Sequence, residues 1–324
     1  MISRRTTLQA FGAAALSSVA GIGFAQDDKQ LITVLVGAAS SMDFTARVIA
    51  DQLHVSLDRP TIVMSRLGAG QRLALGEERR ATPDGRTLLF ATSGPFAIYP
   101  NIYAKLDYDP DRDFTPIAGI STFDVAVSTG PMTGATDMKQ VVAWSRAQKG
   151  NAVFGSAPGN GSLSHFVGIS INLATGLHMT HVPYKDSGVG LIDLAGGRLP
   201  IMITGLSPQV ELHKAGKIRI VAVSGETRSP LVPEVPTLKE AGINVSSSTS
   251  TGLFGPAAMA PELVARIAAA LQPMFTNPTT IERLAQQGMT PWSVNNQQLA
   301  ASIVDERKRF AGIVKASGFV PLTA

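Results

Sequence analysis

Short apolar runs alternate with segments of helical spacing along almost the whole chain, and this alternation restricts the possible folds more than any other feature. ITVLV (32–36), TIVM (61–64), TLLFAT (87–92), AVFGS (152–156), PIMIT (200–204) and IRIVAVS (218–224) read as strands bounded by turn signals. After Ser41 the period changes: Phe44, Val48, Ile49, Leu53 and Leu57 recur at helical spacing, and Pro60 ends the pattern. Strand–helix–strand repetition predicts parallel sheets with helices on both faces, because a parallel pair needs a crossover and a helix supplies it. At 324 residues the chain has room for two such blocks. Turn residues cluster in PMTGATD (131–137), and SSSTST (246–251) is polar without periodicity, so these mark two candidate breaks. From Pro261 the tail reads as helix, in PELVARIAAALQPMF, IERLAQQG and QQLAASIVDERKRFAGIVKASG.

The N-terminal stretch stands apart from the fold. Arg4 and Arg5 precede an Ala/Gly-rich run from Leu8 to Ala25, which closes on the small-x-small site Gly23-Phe24-Ala25. That is the layout of an export signal, residues 1–25, cleaved near Ala25 to leave an exported mature protein. Ser3-Arg4-Arg5-Thr6-Thr7-Leu8-Gln9 is similar to a twin-arginine signal, with Thr7 where Phe is commoner. A membrane anchor is the alternative, but a run of about 18 residues interrupted by Gly and Ser is short for a bilayer. The net charge of +4 comes from singly scattered Lys and Arg without an aromatic pattern, so nucleic acid is not an expected partner. With no cysteine, disulfides, thiolate metal sites and cysteine nucleophiles are excluded.

VFGSAPGNGSLSH (153–165) raises the functional question. A P-loop fails for want of a lysine; the dinucleotide fingerprint fails at Ser164, where its third glycine belongs; and a G-x-S-x-G elbow fails at Leu163. What remains is backbone chemistry. Gly159 and Gly161 let main-chain N–H groups approach a ligand, with Asn160 between them, and Ser162 is placed to cap a helix starting at Leu163. Ser164 and His165 add a hydroxyl and an imidazole. A capped loop with a structural histidine explains the same residues equally well, and both readings stay open.

Three further loops follow strands. In GAASSMDFTAR (37–47), Ser40 with Asp43 fits a capping box; the sharper reading uses Ser40, Ser41 and helix amides to hold a carboxylate. In ATSGPFAIYPN (91–101), Thr92 and Ser93 sit where an α/β strand meets a crevice. VPYKDSGVGLIDLAGG (182–197) carries Tyr184, Lys185 and Ser187 on a turn, with Lys185 read as solvated. Catalytic and metal signals are thin: His178 and His181 lie three apart in what reads as a strand, with no carboxylate to complete a site. Asp107, Asp109, Asp111 and Asp113 alternate in LDYDPDRDF, but the Gly and Glu of a calcium loop are missing, so a surface turn is expected.

With these loops in view, the chain resembles the Bug family, periplasmic solute-binding proteins of tripartite tricarboxylate transporters. The likeness runs from about residue 30 to the end, carried by RLGAG (66–70), ATPDGRTLLFATSG (81–94), YDPDRDFTPIAGI (108–120), HVPYKDSGVGLIDLAGGRLPIMITG (181–205) and RSPLVPEVPTLKEAGI (228–243). The resemblance implies an α/β, two-lobed periplasmic binding protein-like fold (type II, Venus-flytrap) with parallel-rich sheets flanked by helices. Lobe one would comprise 26–130 plus 248–324, and lobe two 131–247. It further implies a small organic acid held between the lobes by main-chain amides, hydroxyls and waters. Carried over by position, the ligand-binding set is Ser40, Ser41, Asp43, Thr92, Ser93, Gly159, Asn160, Gly161, Ser162, His165, Tyr184 and Ser187.

Two departures bear on the ligand. The family's P-x-G-G-x-x-D loop is here VGAASSMD, without the proline or the paired glycines, and STSTGLFGP (248–256) lacks the aromatic that often precedes GLF. The expected protein is a monomeric receptor, not an enzyme, with no cofactor and no metal. It would pass its ligand to membrane carrier subunits, and a sensory receptor of the same fold is the alternative.

Overall fold

The structure, a computed structural model, describes residues 30–38 and 41–323; the export-signal expectation and Ser40 lie outside the described residues. The chain opens with β1 (Ile32–Val36), α1 (Ser41–Leu57), β2 (Thr61–Ser65), α2 (Arg72–Glu78) and β3 (Thr87–Thr92). Two short helices follow, α3 (Gly94–Ala97) and α4 (Tyr99–Ile102), before the 16-residue strand β4 (Phe114–Thr129). The middle of the chain builds α5 (Met138–Ala147), β5 (Val153–Ser156), α6 (Leu163–Thr175), β6 (Thr180–Pro183), α7 (Ser187–Ala195), β7 (Ile201–Gly205), α8 (Ser207–Lys214) and β8 (Arg219–Val223). The return comprises β9 (Ser248–Pro256), α9 (Pro261–Leu271), α10 (Pro278–Gln286), β10 (Thr290–Asn295) and α11 (Asn296–Ser317).

β1 pairs in parallel with β2 and β3, and β5 with β6 and β7, giving the two parallel blocks that the alternation predicts. The strands that join them are antiparallel, so the sheet is parallel-rich rather than parallel throughout. β3 pairs with β9, β9 with β4, and β4 with β7, so the order is β2-β1-β3-β9-β4-β7-β5-β6. β4 pairs with β9 and β10 over its first part; from Val125 onward it pairs with β7 and β8. The polar stretch 246–251, expected as a break, runs into β9. Thr249 and Thr251 are buried there, and Thr251 Oγ1 meets Ser121 Oγ at 2.8 Å across the strand pair. Hydroxyls paired across two strands replace the apolar alternation that marks other strands.

One core packs α1 and α9 on the first block, with Ile32, Val34, Ile49, Leu53, Phe90 and Ile267. Another gathers Val125, Phe154, Phe166, Ile201 and Val221 of the second block. Ile98 and Ile102 from the first part of the chain and Phe310 of α11 also enter that second core, while Leu299 and Ile303 of α11 pack in the first half. α11 therefore packs in the cores of both halves. The acidic run around Asp109 is a turn: Asp109 Oδ1 accepts the Asp111 and Arg112 amides, and Asp111 makes a two-pronged ion pair with Arg307 at 2.6 and 2.8 Å.

Candidate functional site

In the second half, the link from β5 to α6 is fixed by close approach. Gly161 takes φ 77°, where a Cβ is disfavoured, and any Cβ there would collide with Ile102 Cδ1 of α4. Ser162 caps α6: its Oγ accepts the His165 N–H at 3.2 Å and donates to the Gly159 carbonyl at 2.9 Å. The Gly161 N–H donates to His165 Nδ1 at 3.3 Å, and Ser164 Oγ donates to the Ala157 carbonyl at 3.2 Å. Asn160 is exposed at the tip of the loop. The Leu163 and Ser164 amides belong to the first turn, whose N–H groups face out of the helix end and favour an anion.

His165 is buried rather than presented on the surface. Its ring stacks on His181 with centroids 3.7 Å apart, and Phe154, Phe166 and Phe319 complete the cluster. Burial lowers the His165 pKa to about 4; burial and then the neighbouring His165 lower that of His181 to about 3. Both rings are neutral near pH 7, so neither brings a positive charge to an anion. Because His165 Nδ1 accepts a hydrogen bond, its ring proton sits on Nε2. Ser156 Oγ lies 2.7 Å from His181 Nε2, the separation of a nucleophile and its base. Yet Ser156 is fully buried, the base is weak at neutral pH, and its stacked neighbour is a second neutral histidine, not a carboxylate. The pair is structural.

Thr204, at the end of β7, ties the neighbouring loops together. Its Oγ1 meets Ser187 Oγ at 2.7 Å and donates to the Ala157 carbonyl at 2.9 Å. Tyr184 donates its N–H to the Ser156 carbonyl and its hydroxyl to Asp193 Oδ2, both at 2.9 Å. Asp186 caps α7 through the Gly188 N–H at 2.7 Å. Thr204 and Asp186 complete this wall but were not singled out from sequence.

The remaining candidates belong to the first half. Ser41, at the start of α1, donates its hydroxyl to the Gln287 carbonyl at 3.1 Å. Asp43 turns toward β2, accepting from Ser65 Oγ and Arg47 Nε, each at 2.9 Å. Ser93 is buried beside Glu306 of α11, whose carboxyl burial pushes up to about 7 against the weaker pull of that hydroxyl. Thr92 is engaged by Gln71, a residue that sequence reasoning passed over although it directly follows the RLGAG stretch. Tyr99 OH donates to the Gly70 carbonyl at 3.0 Å, and Ile102 of the same α4 helix abuts Gly161. This contact series links the 68–71 loop of the first half to the Gly159–Ser162 loop of the second. Apart from these loops, a cavity of about 210 Å³ is lined by Asp124, Leu206, Arg228 and Gly288, among others. Among the described residues, no group of His, Cys, Asp and Glu is arranged to hold a metal ion.

Two α/β blocks joined by antiparallel strands are the architecture of the periplasmic-binding-protein class of receptor. The chain belongs to the tripartite tricarboxylate transporter receptor family, whose sequence profile matches residues 45–319. It is 28% identical to Protein BugT of Bordetella pertussis over 280 residues, 86% of each chain. Among solved structures, it superposes on Rpa4515 of R. palustris with adipate at TM-score 0.83 and 26% identity, covering 91% of this chain and 100% of that one. MatC of Rhodopseudomonas palustris with bound malate gives TM-score 0.76 at 27% identity, covering 88% and 98%. The protein is thus a periplasmic solute-binding receptor for transport, not an enzyme.

Proposed function

We propose that this receptor captures a small organic acid between its two halves and passes it to the membrane carrier subunits of a tripartite tricarboxylate transporter. The carrying observation is the Gly159–Ser162 loop. Two close-packed glycines and a serine cap hold the start of α6 in one geometry, with Gly161 packed against Ile102 of α4 in the first half. An anchored helix start of this kind favours a carboxylate. The relatives solved with adipate and malate support the same ligand class. Most of the candidate side chains, Ser41, Asp43, Thr92, Ser162, His165, Tyr184 and Ser187, are bonded within the fold. Recognition therefore rests mainly on main-chain amides, with closure of the halves (26–130 plus 248–324 against 131–247) excluding water. The mature receptor, cut near Ala25, works as a monomer.

A thermal-shift screen of organic acids, amino acids and aromatic carboxylates tests this reading. At least one acid is expected to raise Tm by about 3 °C or more at millimolar concentration. A flat response to every acid, or chemical turnover of any of them, defeats it.

A further inference from the structure

Ala69, Gly70 and Gln71 are left-handed in succession, with φ of 46°, 61° and 73°. Residues with side chains adopt that conformation only when their surroundings impose it, and such positions cluster at binding sites. At Gln71 the surroundings are specific. A Cβ on Gly37, just past the end of β1, would lie 2.7 Å from Gln71 Cβ, so the side chain fills the space that glycine leaves. The carboxamide then reaches the end of β3: Nε2 donates to Thr92 Oγ1 at 2.6 Å and Oε1 accepts the Thr92 N–H at 3.3 Å. Since a backbone N–H only donates, this bond fixes which way round the amide lies. A main-chain N–H beside a hydroxyl, at the carboxyl end of a parallel strand, is a donor pair suited to a ligand carboxylate. The planar amide of Gln71 stands where a carboxylate would lie on that pair, one heavy atom on each group, with Thr92 Oγ1 accepting from Nε2 where it would donate to a carboxylate oxygen.

We propose that Gln71 is a specificity-determining residue: its carboxamide occupies the first-half carboxylate position, so the cleft takes acids with one carboxylate and discriminates against those with two. The inference rests on the organic-acid receptor reading above. A single carboxylate goes to the α6 end of the cleft. A second must either displace the Gln71 amide from Thr92 or face the amide oxygen, and either route weakens binding.

Calorimetric titration of the wild-type protein, Gln71→Gly and Gln71→Asn with hexanoate against adipate, and lactate against malate, tests this. Glycine favours φ 73° and asparagine tolerates it, so both variants keep the fold. Wild type is expected to prefer the monocarboxylate of each pair by about tenfold or more, the scale of one displaced hydrogen-bonded charge. Gln71→Gly is expected to move that ratio toward the dicarboxylate by about tenfold, and Gln71→Asn, one methylene shorter, in the same direction. Ratios within about twofold of wild type in both variants overturn the inference, even if Tm rises through relief of the left-handed backbone. So does a wild type that binds malate or adipate more tightly than the matched monocarboxylate. Wild-type protein that ignores all four acids while binding another class of solute defeats the organic-acid reading instead. Binding of adipate or malate gained by Gln71→Gly then supports a blocked carboxylate position, and no gain overturns it.

Discussion

In the first half two carboxyls are buried with raised pKa values, Glu78 of α2 and Glu306 of α11; in the second half the imidazoles of His165 and His181 are buried with lowered ones. Glu78 is fully buried with neither oxygen hydrogen-bonded, and burial, then the nearby Glu77, raise its pKa from 4.5 to about 8. Glu306 rises from 4.5 to about 7. The histidines move the other way, from 6.5 to about 4 and about 3. Burial favours the neutral form in both pairs, but their linkage to pH has opposite sign. Between pH 4.5 and 8 the folded carboxyls hold more protons than the unfolded chain, so stability falls as pH rises. Between pH 6.5 and 3 the unfolded chain binds more protons at the two histidines, so stability falls as pH drops. These opposed contributions place maximum stability between about pH 4.5 and 6.5. Of these four groups, the first-half carboxyls act on the alkaline side and the second-half imidazoles on the acid side.

Removing the aromatic support of the histidine stack should break this comparison most severely. Phe154 is buried 5.2 Å from His181 and 6.3 Å from His165, centroid to centroid. Phe154→Ala should cost about 3–5 kcal/mol in urea unfolding at pH 7. Opening the cluster should also raise both imidazole pKa values, seen by NMR titration, and shrink the acid-side loss per pH unit. A weaker effect sharpens the other limb. Glu78→Met removes the unpaired carboxyl at similar volume and should stabilise by about 1–3 kcal/mol at pH 8, and by less at pH 5. An urea midpoint that falls above pH 7 as steeply as in wild type would remove Glu78 from the account. The smallest effect lies at the cap: Ser162→Ala should cost about 1 kcal/mol and leave the shape of the pH curve unchanged. It should also weaken acid binding by calorimetry, because the loop then loses its bonds to His165 and Gly159.

The parallel blocks were legible because their strands are apolar and bounded by turns. β1 and β3 carry the expected limits, 32–36 and 87–92, and the Ser162 cap was readable from its place before an apolar helix. β9 was not legible: Ser248, Thr249, Ser250 and Thr251 look like a linker until Asp124 and Ser121 of β4 are seen to bond the Ser248 and Thr251 hydroxyls. Non-local pairing, not local propensity, makes that strand. In the site, sequence placed the right loops but not the direction of each side chain. His165 reads equally as a ligand or as a core residue until its ring is found stacked on His181. Gln71 carries no periodic or motif signal, since its importance comes from contacts with Gly37 and Thr92, both distant in sequence.

The long strand β4 governs how this receptor could be divided. Its last five residues, Val125–Thr129, supply hydrogen-bonded neighbours to both β7 and β8. A fragment cut at the turn after Thr129, carrying only the middle of the chain, would leave those two strands without the one that lies between them. It would also lose Ile102 and Phe310 from its core. Such a fragment would present open strand edges to other copies of itself, the usual route to aggregation. An excised binding module would therefore have to begin upstream of Val125, and a cut within β4 would disrupt the sheet that joins the halves.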